Sequence, residues 1–123
     1  RALLDMVTER LAQARGIVTA DAEGKYHFRS IVAVPYAIPH DGPVGQMLEA
    51  TGRHPWRPAH LHFMVKAPGY ETLITHVFRD HSDYLDSDAV FGVRQSLVCD
   101  WVQQTDGSYL MEYDFVLNPT RTR

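Results

Sequence analysis

Two histidines stand two positions apart, His60 and His62, within Arg57-Pro58-Ala59-His60-Leu61-His62-Phe63-Met64-Val65. The surrounding β-formers predict a strand. Side chains two apart on a strand point to one face, so the imidazoles sit side by side while Leu61 and Phe63 face the other way. Two neutral imidazoles so placed can hold one metal ion, and iron, zinc and copper all suit them. The plainer alternative is a half-exposed strand that carries two histidines and no metal. Seven histidines in 123 residues weigh toward the metal.

A metal there needs further ligands. Tyr36, His40, Glu71, His76 and the aspartates between positions 80 and 88 are the candidates. Tyr36 lies in Val34-Pro35-Tyr36-Ala37-Ile38-Pro39-His40-Asp41-Gly42-Pro43, whose three prolines fix φ and remove donors. Such a stiff loop is a good mount, because its geometry is set before a ligand arrives. Tyrosinate is a hard oxygen donor that favours ferric iron. Otherwise Tyr36 packs on the sheet with its hydroxyl bonded to backbone. Arg57 precedes His60 by three, an odd spacing, but Pro58 breaks the alternation. It could then stand over the site and stabilise an anionic substrate; an isolated arginine is otherwise a surface residue.

The elements that must position these groups follow from local patterns. Leu4, Val7 and Leu11 fit a helical face, yet 1–14 reads as a poorly defined entry segment. Residues 16–20 and 26–32 read as strands joined at a turn over 21–24, a hairpin. A short helix is predicted over 44–50, ending near Gly52. The histidine strand closes at Pro68-Gly69 and pairs with 72–78. The stretch 79–88 is polar, with four aspartates, and a second short helix is predicted to start at Asp88, capped by its side chain. Residues 97–102 read as a strand, 105–108 as a turn and 109–117 as the last strand. Six or so short strands with little helix predict an antiparallel β-sandwich of the all-β class, one domain over 1–123.

Bulk properties set outer limits. Hydrophobic content of 45%, charged content of 22% and a net charge of −3 describe an ordinary globular chain. No basic run interleaves with aromatics, so no nucleic-acid partner is expected. Neither a membrane span nor a secretory signal is seen, so the expected location is cytoplasmic. The single cysteine, Cys99, reads as a small buried hydrophobe and not a nucleophile. The chain opens at Arg1 without Met, which suggests a fragment or a processed product.

Several motifs then fall in one order. They are Tyr26-x-Phe28-Arg29, Val34-Pro35-Tyr36-x-Ile38-Pro39-x-Asp41-Gly42-Pro43-Val44-Gly45 and Gly52-Arg53-His54-Pro55-x-Arg57-Pro58-Ala59-His60-Leu61-His62-Phe63. Ala67-Pro68-Gly69-Tyr70, Thr75-His76-Val77-Phe78 and Asp86-Ser87-Asp88-Ala89-Val90-Phe91-Gly92-Val93 follow. This series resembles the intradiol ring-cleavage dioxygenases, and its last two members resemble the hydroxyquinol 1,2-dioxygenase branch. The likeness runs from about Gly16 to Pro119. It implies the family's catalytic β-sandwich domain without the N-terminal helical region.

The resemblance implies a mononuclear Fe(3+) site with Tyr36, His60 and His62 as ligands. It places Arg57 beside the substrate as a catalytic group with Tyr36. Ile38, Pro39 and Val90 would line the substrate pocket, and His76 would stand behind the ligands. The implied reaction is cleavage of a 1,2-dihydroxybenzene, hydroxyquinol or catechol, by O2 to a muconate or maleylacetate product. A homodimer is the family's usual assembly. One departure stands out: the family's second iron tyrosine would fall at Leu3 or Leu4, and leucine is no ligand, so activity is in question. Two rival readings remain, a cupin-like Fe(II) enzyme using His60, His62 and Glu71, and a non-catalytic binding module.

Overall fold

The computed structural model describes residues 15–121. They fall into two compact units, divided between Val32 and Ala33. In the first, the turn over 21–24 forms as predicted. The Asp21 carboxylate accepts the N–H groups of Glu23 (3.1 Å) and Lys25 (2.8 Å). The flanking strands predicted over 16–20 and 26–32 do not form. Backbone links across the turn run from the Asp21 N–H to the Lys25 carbonyl (2.9 Å) and from the Gly24 N–H to the Asp21 carbonyl (3.0 Å), and among the described residues no ladder continues them.

The second unit is made of short strands and one helix, and the fold is an all-β sandwich type. β1 (Tyr36–Ala37) pairs antiparallel with β2 (Trp56–Arg57), which sets Tyr36 opposite Arg57. Between them α1 (Pro43–Ala50) starts with a proline in its first turn, where a missing N–H costs nothing. It ends at Thr51, whose hydroxyl donates to the carbonyls of Met47 (2.9 Å) and Leu48 (3.0 Å).

β3 (His60–Val65) and β4 (Leu73–Arg79) form the central antiparallel pair, in a register that puts His60 opposite Phe78 and His62 opposite His76. Period-two alternation therefore stacks His60, His62, His76 and Phe78 on one face. The connection turns at Gly69, whose φ of 79° suits a residue without Cβ. The core sits under this pair: Val77 and Phe78 are fully buried, with Ala59, Leu48 and Ala89 close behind.

Downstream, the strand expected over 97–102 is split. A 3-10 turn (Gln95–Leu97) leads into β5 (Val98–Cys99), which runs parallel to the end of β4. β6 (Trp101–Gln103) instead pairs with β7 (Tyr109–Met111). The last strand is thus shorter than the 109–117 expected. No described helix is long and apolar enough to cross a membrane.

The helix expected at Asp88 is also absent. Asp88 does accept downstream amides, as a cap would, but its neighbour Phe91 takes φ of 56° and stops any helical turn. Because Phe78 is 0% exposed and its ring packs 5.3 Å from that of His60 and 4.9 Å from that of His76, Phe78→Ala should cost about 3–5 kcal/mol. Urea unfolding measures it, and a loss below about 1 kcal/mol would show that Phe78 is no core residue.

Candidate metal and substrate site

Pro58 and Ala59 interrupt the chain between β2 and β3, and both are buried. This break lets Arg57 turn toward the histidine face despite its odd spacing. The Ala59 N–H donates to Ser82 Oγ at 2.8 Å, and the Ala59 carbonyl accepts from Arg79 N–H at 2.9 Å. His60 thus leaves a backbone that is fixed on both sides.

The Pro58 carbonyl lies 2.7 Å from His60 Nδ1. A carbonyl only accepts, so Nδ1 carries the proton and Nε2 presents its lone pair. His60 Nε2 is 3.1 Å from His62 Nε2 and 3.1 Å from Arg57 Nη1. Two ring nitrogens and one guanidinium edge therefore converge on one point. The Tyr36 ring lies 5.5 Å from that of His60, and Tyr36 stands opposite Arg57 across the β1–β2 pair. The His76 ring closes the cluster, 5.6 Å from His60 and 5.3 Å from His62.

Arg57 is almost fully buried, and so is its partner Asp88. Arg57 Nε donates to Asp88 Oδ1 at 2.9 Å, and Nη2 donates to Oδ2 at 3.2 Å. Burial by itself would weaken the guanidinium, but bonds to Asp88 and Tyr36 outweigh it and hold its pKa above the ordinary value. For Asp88, burial would raise the pKa, yet Arg57 and the amides of Gly92 and Val90 hold it below the usual carboxylate range.

The imidazoles respond in the opposite sense. Burial, then the charge of Arg57 and the neighbouring rings, pulls His60 down to about 4 against the pull of the Pro58 carbonyl. Burial and Arg57 also lower His62, and burial, Arg57 and His62 lower His76. All three rings are thus neutral near pH 7, the state in which imidazole binds a metal.

Other sequence candidates do not join the cluster. His40 is exposed, its Nδ1 3.0 Å from the Ile38 carbonyl. Glu71 lies beyond the Gly69 turn, its N–H bonded to the Asn118 carbonyl at 2.8 Å. Among the described residues no three His, Cys, Asp or Glu side chains converge to hold a metal, which leaves the His60, His62 and Glu71 set without support. Asp80 is engaged elsewhere, accepting from the Trp101 N–H at 3.0 Å. Val90 is tied to the cluster through its N–H to Asp88 Oδ1, 3.3 Å. Ile38 sends its N–H to the Pro55 carbonyl, 3.0 Å, and Pro39 is exposed beside it. Leu3 and Leu4 lie outside the described residues. Cys99 is half-buried, and burial raises its thiol pKa, as befits a packing residue.

Comparison with known proteins bears on what this cluster serves. Residues 8–119 match a family model described as Dioxygenase. The chain belongs to the intradiol dioxygenase family. It is 69% identical over 110 residues to 6-chlorohydroxyquinol 1,2-dioxygenase of Cupriavidus pinatubonensis, covering 89% of this chain and 40% of that one. It is 48% identical over 101 residues to hydroxyquinol 1,2-dioxygenase of a Rhizobium species, covering 82% of this chain and 34% of the relative. Among solved structures it resembles 3-chlorocatechol 1,2-dioxygenase of Rhodococcus opacus, with TM-score 0.79 and 34% identity over 85% of this chain and 42% of that one. The chain thus spans less than half the length of these intradiol dioxygenases.

Intradiol dioxygenases generally depend on non-haem iron. The donor set here fits such an ion: two neutral imidazoles face each other across 3.1 Å, and a phenol stands beside one of them. Sequence reasoning missed two parts of the site. The sequence offers Asp88 as a candidate metal ligand and helix cap, whereas it is the partner of Arg57; an acid followed directly by Ala89-Val90-Phe91 is the available signal. Gly92 enters the sequence reading only as part of a motif, and a Cβ there would stand 3.0 Å from Arg57 Nη2, 3.1 Å from Asp88 Oδ2 and 3.1 Å from His76 Nε2.

The depressed His60 pKa sets a pH dependence. Between about 4 and the ordinary histidine value of 6.5 the unfolded chain binds a proton that the native state refuses. Stability is therefore full above pH 6.5 and declines as pH falls toward 4. In metal-free protein, NMR should show His60 neutral at pH 6 and titrating near 4. A midpoint near 6.5 would contradict the geometry.

Proposed function

We propose that this chain carries the site for intradiol cleavage of a 1,2-dihydroxybenzene of the hydroxyquinol or catechol type by O2. The convergence of His60 Nε2, His62 Nε2 and Arg57 Nη1 on one point carries this reading. The names of the relatives, hydroxyquinol, chlorohydroxyquinol and chlorocatechol dioxygenases, support the substrate class.

In this reading His60, His62 and Tyr36 hold Fe(3+). When bound, the ion lowers the pKa of a coordinated phenol and draws electron density from the ring. Everything else falls to the protein. His60 keeps its lone pair aimed outward because the Pro58 carbonyl holds the opposite nitrogen. Arg57 supplies a fixed positive charge beside the point where a deprotonated diol would lie, and so stabilises charge that develops on the ring. His76 offers a neutral N–H at the flank. Val90 forms one apolar wall, with Ile38 and Pro39 on the Tyr36 side. Both atoms of O2 enter the product; with hydroxyquinol the ring opens to 3-hydroxymuconate, which tautomerises to maleylacetate.

The test uses the full-length gene product loaded with iron. It should take up one O2 per hydroxyquinol and show a visible phenolate-to-iron band. Tyr36→Phe should remove or shift that band and lower kcat/KM by at least roughly 100-fold, more than loss of an outer-shell partner does. An unchanged band rules Tyr36 out as the iron-bound phenolate. No oxygen uptake by iron-loaded wild type refutes the activity.

A further inference from the structure

We infer that Asp88 is the positioning residue for Arg57, fixing which edge of the guanidinium the site sees. This deepens the ring-cleavage reading and rests on it.

The inference starts from how the Asp88 carboxylate is used. Oδ1 accepts from Arg57 Nε at 2.9 Å and from Val90 N–H at 3.3 Å; Oδ2 accepts from Arg57 Nη2 at 3.2 Å and from Gly92 N–H at 2.9 Å. Asp88 is 3% exposed, so these donors replace the water it has lost. A planar guanidinium gripped in this two-point fashion has no freedom to rotate. With Nε and Nη2 held, Nη1 is the group turned toward His60 Nε2, 3.1 Å away.

The loop around Asp88 is built for this grip. Phe91 takes a left-handed φ of 56°, a conformation that a bulky residue adopts only when its surroundings impose it. Arg53 holds it there, its guanidinium 3.9 Å over the Phe91 ring and its Nη2 donating to the Asp88 and Ala89 carbonyls at 3.2 and 3.1 Å. The Ala89 N–H bonds the Trp56 carbonyl at 3.0 Å, next to Arg57 in β2. At Gly92 the backbone approaches Arg57, Asp88 and His76 together, where a Cβ would crowd all three side chains at 3.0–3.1 Å.

Two consequences follow. The charge of Arg57 is oriented before any substrate arrives, so no ordering is left to be done at binding. Val90 hangs from the same carboxylate, so one acid sets both the charge and one apolar wall. A purely structural ion pair would do neither.

The experiment compares iron-loaded full-length wild type, Asp88→Asn, Arg57→Ala and the double variant, with hydroxyquinol as substrate. Asp88→Asn should keep its iron and lose roughly 10- to 100-fold in kcat/KM, mostly in kcat. In the Arg57→Ala background the same change should add nothing; an additive loss overturns the inference. Asp88→Glu keeps the charge but displaces it by a methylene, so it stays useful should Asp88→Asn not fold. It should also lower kcat at full iron content, and wild-type kcat in it overturns the inference.

A readout free of activity accompanies these. In metal-free protein the Arg57 Nε–H should exchange slowly in wild type and at least roughly tenfold faster in Asp88→Glu, as a weakened bond releases it. Equal protection overturns the inference even if the protein cleaves rings. Absence of oxygen uptake by wild type would instead strike at the ring-cleavage reading and leave the exchange comparison to decide the role of Asp88.

Discussion

The buried pair of Arg57 and Asp88 is the constraint on which the site depends. A guanidinium taken out of water must find a charged, hydrogen-bonding partner, because an uncompensated buried charge is prohibitive. Asp88 is that partner, and each of its oxygens is met by a side-chain and a backbone donor. The fixed charge then acts on its neighbours. It favours neutral imidazole at His60, His62 and His76, and Tyr36 stands opposite it across the β1–β2 pair. Burial and this charge together keep the nitrogen donors neutral.

The sheet supplies what the ion pair does not. Antiparallel register between β3 and β4 puts His62 against His76 and His60 against Phe78. A slip of one residue would turn every one of these side chains to the opposite face. Such a slip would also carry Phe78 off the face where its ring packs on His60 and His76. The Pro58 carbonyl adds the last detail by choosing the His60 tautomer. Packing, register and tautomer therefore all act toward the same convergence of nitrogens.

How much of this was legible in the chain depended on the range of the interactions involved. The common face of His60 and His62 follows from strand period alone, and the helix expected over 44–50 with a stop near Gly52 forms as Pro43–Ala50. The Gly69 turn and the pairing of β3 with β4 are local as well. The strands expected at 16–20 and 26–32 do not form, because β-propensity registers residue type and not a partner. The predicted single strand over 97–102 is shared between two sheets, since Val98 pairs with Phe78 while Trp101 pairs with Met111. The helix expected at Asp88 is a loop for a related reason. Its carboxylate answers to an arginine 31 residues away, and no local pattern records that. Membership in the dioxygenase family was legible because whole motifs, and not single residues, carried it.

The most direct measurement is anomalous diffraction at the iron edge from crystals of the iron-loaded full-length protein. One peak should appear, bonded to both His60 Nε2 and His62 Nε2, with the Tyr36 oxygen as a further ligand and Arg57 still paired with Asp88. An iron peak held by other side chains, or one bonded to a single histidine of the pair, would contradict a metal centre built on this strand.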